Sequence, residues 1–113
     1  LDGDVSDVVL RDRELLSEDG VLLIIANIDA KRRVILSEPE IVSRGFVYMK
    51  ENDELIEQVR NIFLESSRRI FKNKYVDWRK YKDDVKDSVS KFLYKEISRR
   101  PIIIPVLIDT QIK

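Results

Sequence analysis

The chain is organised around an uninterrupted apolar stretch, residues 21–28, whose pattern predicts a β-strand. This stretch reads Val-Leu-Leu-Ile-Ile-Ala-Asn-Ile and is bracketed by turn-forming residues, Gly20 before it and Asp29 after it. Its length and β-branched content favour a strand over a buried helix. Side chains alternate between the two faces of a strand, and both sets are apolar here. Because strands covered on both faces show this pattern, we expect cover on both sides of residues 21–28.

Two other segments predict edge strands, because each one contains a proline. Residues 33–43 are apolar at both ends but are interrupted around Pro39, and residues 102–108 are apolar on both faces and contain Pro105. Proline cannot donate to a strand ladder, so it is found at edges or bulges. We interpret residues 33–43 as the antiparallel hairpin partner of residues 21–28. Residues 46–49 predict a last short extended segment.

Two amphipathic helices are predicted between these strands. Asn52 is a suitable N-cap for the first helix and Asp77 for the second. Apolar residues recur at helical spacing after each cap. The second helix is expected to carry Arg99 and Arg100 in its last turn and to stop at Pro101. A short link between the helices predicts an antiparallel helical hairpin, which would pack on one face of the sheet.

The order of these elements predicts an α+β fold, a two-layer sandwich. Its sheet would have about three strands, mixed or antiparallel, covered on one face by the helical hairpin. A short N-terminal helix is expected from Asp7 to Asp19, ending at Gly20, which suits the position just past a helix end. Residues 1–19 are therefore interpreted as a linker with a short helix, and residues 20–113 as the domain.

Composition excludes several classes of protein and of site. The chain has 43% hydrophobic and 37% charged residues, which is typical of a folded globular domain and not of a disordered tail. It contains no histidine and no cysteine, so imidazole bases, thiol nucleophiles and the histidine and cysteine ligands of zinc are absent. No apolar run is long enough for a membrane span. We therefore expect no catalytic residue and no cofactor in this chain, and no membrane association.

Glu38 and Glu40 would lie on one face of a strand, as a catalytic carboxylate pair might. The interpretation that we favour is that they are solvated charges guarding a sheet edge beside Pro39. The chain begins with Leu1 and not with Met, which predicts that it is part of a longer protein.

Basic residues cluster around the turn of the predicted helical hairpin, with aromatic residues among them. Such a surface could contact an RNA backbone and stack a base on Tyr75, Trp78 or Tyr81. The alternative is that Lys72 and Lys74 serve the helix dipole while Trp78 and Tyr81 belong to the core. The net charge of zero favours this alternative, because phosphate affinity rests on uncompensated positive charge. The RNA-contact candidates are Lys72, Lys74, Arg79, Lys80 and Lys82.

One helical hairpin can cover only one side of the predicted sheet, so the other side should expose aliphatic side chains. Exposed apolar patches of this kind usually mark an interface. Twofold homodimers are the commonest assembly, so we expect a second copy of the chain to bind there. The interface candidates are Val21, Leu23, Ile25, Ile102, Ile104, Val106 and Ile108.

Several short motifs, in order along nearly the whole chain, resemble the C-terminal domain of ribonuclease J. Residues 3–5 and 9–20 resemble the segment that enters that domain. Residues 41–48 (Ile-Val-Ser-Arg-Gly-Phe-Val-Tyr) resemble its second signature. Residues 91–95 and 99–105 resemble its third signature. Each motif is short, and the specificity lies in their combination.

The resemblance implies a cytoplasmic bacterial ribonuclease of the metallo-β-lactamase and β-CASP class, which acts on RNA as a 5′–3′ exonuclease and as an endonuclease. Such enzymes use two zinc ions held by histidines and aspartates of another domain, so no catalytic or metal-binding residue is carried over to this chain. The resemblance further implies an accessory domain that supports activity and oligomerisation. Its expected partners are its own catalytic domains, a second copy, and RNA through the full-length enzyme. The alternative hypothesis is a free-standing module that binds RNA or protein.

Overall fold

The computed structural model describes residues 19–46, 49 and 52–110 and confirms the predicted α+β fold. The elements run in the order β1 (Val21–Asp29), β2 (Val34–Ile35), β3 (Glu40–Arg44), α1 (Asp53–Phe71), α2 (Trp78–Ile97) and β4 (Ile102–Asp109). One sheet packs against the two helices, which form the predicted hairpin. The helix predicted from Asp7 to Asp19 falls on residues outside those described, apart from Asp19 itself.

The sheet is mixed, and β1 lies at its centre. Strand β4 pairs with β1 in parallel along almost its whole length, from Val21 opposite Ile102 to Ile28 opposite Asp109. Strands β3 and β2 both pair with β1 in antiparallel fashion, β3 with the first half and β2 with the last two residues. Because β4 occupies one edge of β1, β2 and β3 share the other edge. The four strands therefore fill three positions, as the sequence predicted.

The two prolines predicted within strands lie where the ladder tolerates them, as predicted. The pairing register shifts by two residues between β3 and β2, and Pro39 is buried within that break. Its carbonyl accepts a hydrogen bond from Nε of Arg60, at 2.9 Å. Pro105 lies in β4, which pairs on one side only among the described residues. Neither proline therefore removes an N–H group on which the central strand depends.

The two predicted helix starts are confirmed by their capping hydrogen bonds. Oδ1 of Asn52 accepts from the Leu55 N–H at 3.0 Å, and Oδ1 of Asp77 accepts from the Lys80 N–H at 3.1 Å. Each side chain satisfies one of the N–H groups that a helix start leaves without a partner. The two caps therefore fix where each helix begins.

The end of α2 differs from the prediction. The helix stops at Ile97, and Ser98 adopts the left-handed conformation (φ 56°) that reverses the chain. Arg99 and Arg100 therefore lie beyond the helix. Asp19 holds them there: its carboxylate accepts from the Arg100 N–H at 2.7 Å and lies 3.9 Å from the Arg99 guanidinium. The helix thus ends earlier than the local pattern indicates, and the residues just beyond it contact Asp19.

The prediction of an extended segment at residues 46–49 is wrong for Phe46 and Met49, the two of these residues that the structure describes. The N–H of Met49 donates to the carbonyl of Phe46, and the N–H of Asn52 donates to that of Met49, each at 3.3 Å. Bonds to a carbonyl three residues back are those of a tight turn. The side chains of Phe46 and Met49 are buried, so these two residues contribute to the core without joining the sheet.

The hydrophobic core lies between the helices and one face of the sheet. Every second residue of β1 is almost fully buried against the helices, from Leu22 to Ile28. The core holds one polar contact of note, between the hydroxyl groups of Ser67 on α1 and Tyr81 on α2. Burial raises the pKa of Tyr81 to about 12, although the Ser67 hydroxyl works in the opposite direction. The phenol therefore stays neutral in the folded state.

The backbones of Gly20 and Gly45 pass very close to each other at the start of β1. Both residues adopt positive φ angles, 79° and 70°. A Cβ atom on Gly20 would lie 2.5 Å from the carbonyl oxygen of Arg44 and from the carbonyl carbon of Gly45. Only glycine fits this crossing without a backbone shift.

Candidate nucleic-acid and assembly surfaces

The five RNA-contact candidates lie at one end of the helical layer but in unequal surroundings. Lys72 and Lys74 are exposed in the turn that follows α1. Lys80 forms an ion pair with Asp84 at 3.5 Å. Lys82 lines a cavity together with Asp109. Arg79 is exposed in the first turn of α2. The turn lysines therefore have fewer nearby acidic groups than those on the helix.

A second basic turn, between β1 and β2, reaches the helical hairpin. The carboxylate of Asp29 accepts from the Arg32 N–H at 3.0 Å, and the Asp29 carbonyl accepts from the Arg33 N–H at 2.7 Å. These bonds shape a tight turn in which Arg33 has a positive φ of 57°. The Arg33 guanidinium then donates to the carbonyls of Asn73 and Lys74, at 2.6 and 2.8 Å. One side chain thus ties the two turns together.

We call residues 31–33 and 68–75 together the basic end. It contains seven basic side chains and no acidic one. Two of the seven have an acidic partner nearby: Arg32 lies 3.7 Å from Asp29, and Arg68 lies 2.6 Å from Glu65. For the other five, no acidic group lies within 4.0 Å among the residues that the structure describes. They are Lys31, Arg33, Arg69, Lys72 and Lys74.

Sequence reasoning found only the half of the basic end that belongs to the helical hairpin. The run Lys31-Arg32-Arg33 was visible in the sequence, but it lies some 40 residues away from Lys72 and Lys74. Only the long-range contact of Arg33 with Asn73 and Lys74 shows that the two runs share a surface.

The three aromatic candidates separate into one exposed ring and two packed ones. Tyr75 is 80% exposed, and Nζ of Lys74 lies 5.7 Å from its ring centroid. Tyr81 is fully buried, as the alternative interpretation expected, so its ring is not available to a base. Trp78 is partly buried and packs edge-on against Phe71, with 6.2 Å between ring centroids. Tyr75 is therefore the aromatic side chain of this set that a base can reach most readily.

A cavity of about 250 Å³ lies beside the basic end. It opens at the carboxyl ends of the parallel strands β1 and β4, where Oδ1 of Asp109 accepts from the Ala30 N–H at 3.0 Å. Apolar side chains form most of its wall. Its lining residues are Ile28, Ala30, Trp78, Lys82, Leu107 and Asp109.

The face of the sheet opposite the helices is apolar and only partly covered. The alternation along β1 and β4 places six of the seven interface candidates there in half-buried or exposed positions, with Ile108 44% exposed. Val21 belongs to the same face but is buried within the chain. The six are Leu23, Ile25, Ile102, Ile104, Val106 and Ile108.

No metal-binding cluster is found in the part of the chain that the structure describes. That part holds no group of three or more acidic, histidine or cysteine side chains able to bind a metal ion. Glu38 is 68% exposed and lies 3.3 Å from the Arg60 guanidinium, and Glu40 is exposed at the start of β3. Within the same part, no helix combines the length and the apolar character needed to cross a membrane.

Comparison with known proteins identifies similar sequences along almost the whole chain. The family model described as "Ribonuclease J C-terminal domain" matches residues 8–110. A "Ribonuclease J 2" of Staphylococcus epidermidis is 44% identical over 109 residues, and a "Ribonuclease J 2" of Staphylococcus aureus is 41% identical over 105 residues. Each alignment covers 93% of this chain but 19% of the relative. The chain thus spans about a fifth of the length of the curated relatives that it matches.

Proposed function

Because this chain belongs to the ribonuclease J C-terminal domain family, we propose that it is a non-catalytic accessory domain of a bacterial ribonuclease J. In this proposal the longer enzyme degrades and processes RNA in the cytoplasm, as an exonuclease and an endonuclease. Its metallo-β-lactamase and β-CASP domains carry the chemistry. This domain supports assembly of the enzyme through the apolar face of its sheet that lies opposite the helices, which we call the open face.

The residues of this chain do not fit a zinc centre. Zinc in proteins is held mainly by histidine, cysteine and carboxylate side chains, and the sequence contains no histidine and no cysteine. The described carboxylates also form no cluster of three. Zinc is therefore expected only in parts of the enzyme that this chain does not include, and no catalytic step is assigned to its residues.

The apolar open face of the sheet is the observation that carries the assembly role. Ile104 of β4 pairs with Leu23 of β1, and Val106 pairs with Ile25, so these four side chains form a continuous patch. Burying roughly 400 Å² of such surface would contribute ~10 kcal/mol before the costs of association are counted. Lost freedom and side-chain ordering offset much of this gain. A moderate affinity for a second copy is the expected outcome.

Sedimentation of the chain over a wide range of concentration tests this proposal. We expect the mass to rise from that of one chain towards that of two. Ile104→Lys combined with Ile108→Lys should keep the protein monomeric, because both charges would be buried without partners in the dimer. Tyr94→Lys controls for the introduction of a lysine away from this face, at a residue 48% exposed on α2, and should leave association unchanged.

A strictly monomeric wild-type chain at high concentration, with the open face unprotected in hydrogen exchange, would contradict self-association. The second candidate partner of this face is the catalytic part of the same enzyme. Protection of the face only when the catalytic domains are added would assign it to that contact.

A further inference from the structure

We propose that the basic end of the domain binds the phosphodiester backbone of single-stranded RNA and that the exposed ring of Tyr75 stacks on one of the bases. This inference goes beyond the assembly role, which rests on a different surface, the sheet face that the helices leave uncovered. It would give the accessory domain a direct contact with the substrate of the longer enzyme.

The basic end concentrates positive charge that the chain as a whole does not have. The chain as a whole has equal numbers of basic and acidic residues, 21 of each, so its net charge conceals any local excess. All 21 acidic residues lie outside the basic end, which holds seven basic ones. Because affinity for phosphates comes from neutralising them with lysine and arginine and releasing bound counterions, this local excess is the relevant quantity.

The two basic turns are held together in the structure without any ligand. Arg33 donates two short hydrogen bonds to the carbonyls of Asn73 and Lys74. Its own turn is fixed by Asp29, which is 2% exposed and accepts from the Arg32 N–H. Lys31 and Lys72 are therefore presented on turns that need little reordering on binding, which reduces the entropic cost.

An accessible aromatic ring lies next to these basic side chains. Proteins that bind single strands combine a basic track for the backbone with aromatic side chains on which bases stack. Tyr75 is 80% exposed and follows Lys74 directly. Both features of such a surface thus meet in the same turn, whereas Trp78 and Tyr81 pack against Phe71 between the helices.

Three lysines of α2 supply a matched comparison for a binding experiment. Lys86, Lys91 and Lys95 are exposed on α2, outside the basic end. Changing these three to glutamine removes the same charge as changing Lys31, Lys72 and Lys74. The two triple variants therefore separate a local effect from a change in net charge.

Fluorescence anisotropy of a labelled oligouridylate, measured against salt concentration, tests the proposal. We expect the Lys31→Gln, Lys72→Gln, Lys74→Gln variant to bind more weakly and to lower the slope of log affinity against log salt by about 2, since each phosphate contact contributes roughly 0.7 for a single strand. The Lys86→Gln, Lys91→Gln, Lys95→Gln control should retain at least most of the wild-type slope. Equal effects of the two triple variants would overturn the proposal, as would undetectable wild-type binding at low salt.

The role of the ring is tested separately. Tyr75→Ser should weaken binding by about tenfold, and Tyr75→Phe should restore it, because stacking needs the ring and not the hydroxyl. A polyglutamate peptide serves as an acidic polymer without bases. If it binds as tightly as the RNA, and Tyr75→Ser has no effect on either ligand, the surface is a general polyanion site and the proposal is wrong.

Failure of this proposal can be told apart from failure of the assembly role. The basic-end variants should sediment like the wild type, and the Ile104→Lys, Ile108→Lys variant should bind RNA through an unchanged surface. Hydrogen exchange of the variants confirms that each one keeps the native fold.

Discussion

The crossing of Gly20 and Gly45 provides a sharp test of how the chain enters the sheet. We expect Gly20→Ala to destabilise the domain much more than Gly45→Ala. Both substitutions place alanine at a positive φ angle, which costs about 1 kcal/mol for a residue with a Cβ atom. This cost is common to the two variants and cancels in their comparison.

The difference between the two variants comes from the space around the new methyl group. On Gly20 the Cβ would lie 2.5 Å from two backbone atoms, at Arg44 and Gly45, and 2.6 Å from a third. On Gly45 the nearest described atom is the Cα of Gly20, at an ordinary contact distance of 3.6 Å. Backbone atoms cannot rotate away, so relief of the clash needs a shift of β1 against β3, for which overpacking costs of about 1–3 kcal/mol are typical.

Urea denaturation followed by circular dichroism measures this difference. We expect a loss of about 1 kcal/mol for Gly45→Ala and of about 2–4 kcal/mol for Gly20→Ala, which adds the clash. Equal losses for the two variants would refute the close approach of the two backbones. An unchanged slope of the free energy of unfolding against urea concentration would show that both variants keep the native compactness.

Three further predictions concern the buried hydroxyl pair and the chemistry of the chain. Ser67→Ala should cost about 1–3 kcal/mol because it leaves the buried Tyr81 hydroxyl without its partner, whereas the Ser67→Ala, Tyr81→Phe double variant should cost less than the sum of the single ones. A double-mutant cycle by urea denaturation checks this, and additive losses would contradict the pairing. The raised pKa of Tyr81 means that this residue's contribution to stability is present below pH 10 and is lost as the pH rises from 10 towards 12. The wild type should therefore lose more stability across this range than Tyr81→Phe does. Parallel profiles of stability against pH for the two proteins would contradict the shift. The isolated chain should not shorten 5′-monophosphorylated RNA in the presence of zinc or manganese, since it lacks the histidines of a two-metal site; cleavage that a chelator abolishes, with contaminating nucleases excluded, would contradict this.

The fold was predictable wherever local pattern and packing agree. Residues 21–28 form the central strand because their side chains are apolar on both faces, and the caps at Asn52 and Asp77 start the helices as their chemistry requires. The end of α2 was predicted wrongly: Ser98 reverses the chain, and Arg99 and Arg100 lie outside the helix in contact with Asp19, about 80 residues away in sequence. Periodicity carries no information about such contacts.

Of the two candidate surfaces, one follows from local sequence pattern and the other depends on a contact between residues distant in sequence. The open face of the sheet followed from alternation along residues 21–28 and 102–108, because a strand determines its own faces. The basic end did not follow, since it depends on one side chain, Arg33, that bridges two turns. The parallel orientation of β4 was left open by the sequence, because an apolar strand with a proline fits an edge in either direction.

The parallel pairing of β1 with β4 has a consequence for the synthesis of the protein. The central strand is among the first described residues to leave the ribosome, but its longest pairing, from Val21 opposite Ile102 to Ile28 opposite Asp109, needs the last strand. Until β4 emerges, one edge of an almost wholly apolar strand stays open, and such edges recruit other chains. Contacts between residues so distant in sequence also form slowly. The nascent domain therefore passes through a stage in which the edge of β1 needs protection from aggregation.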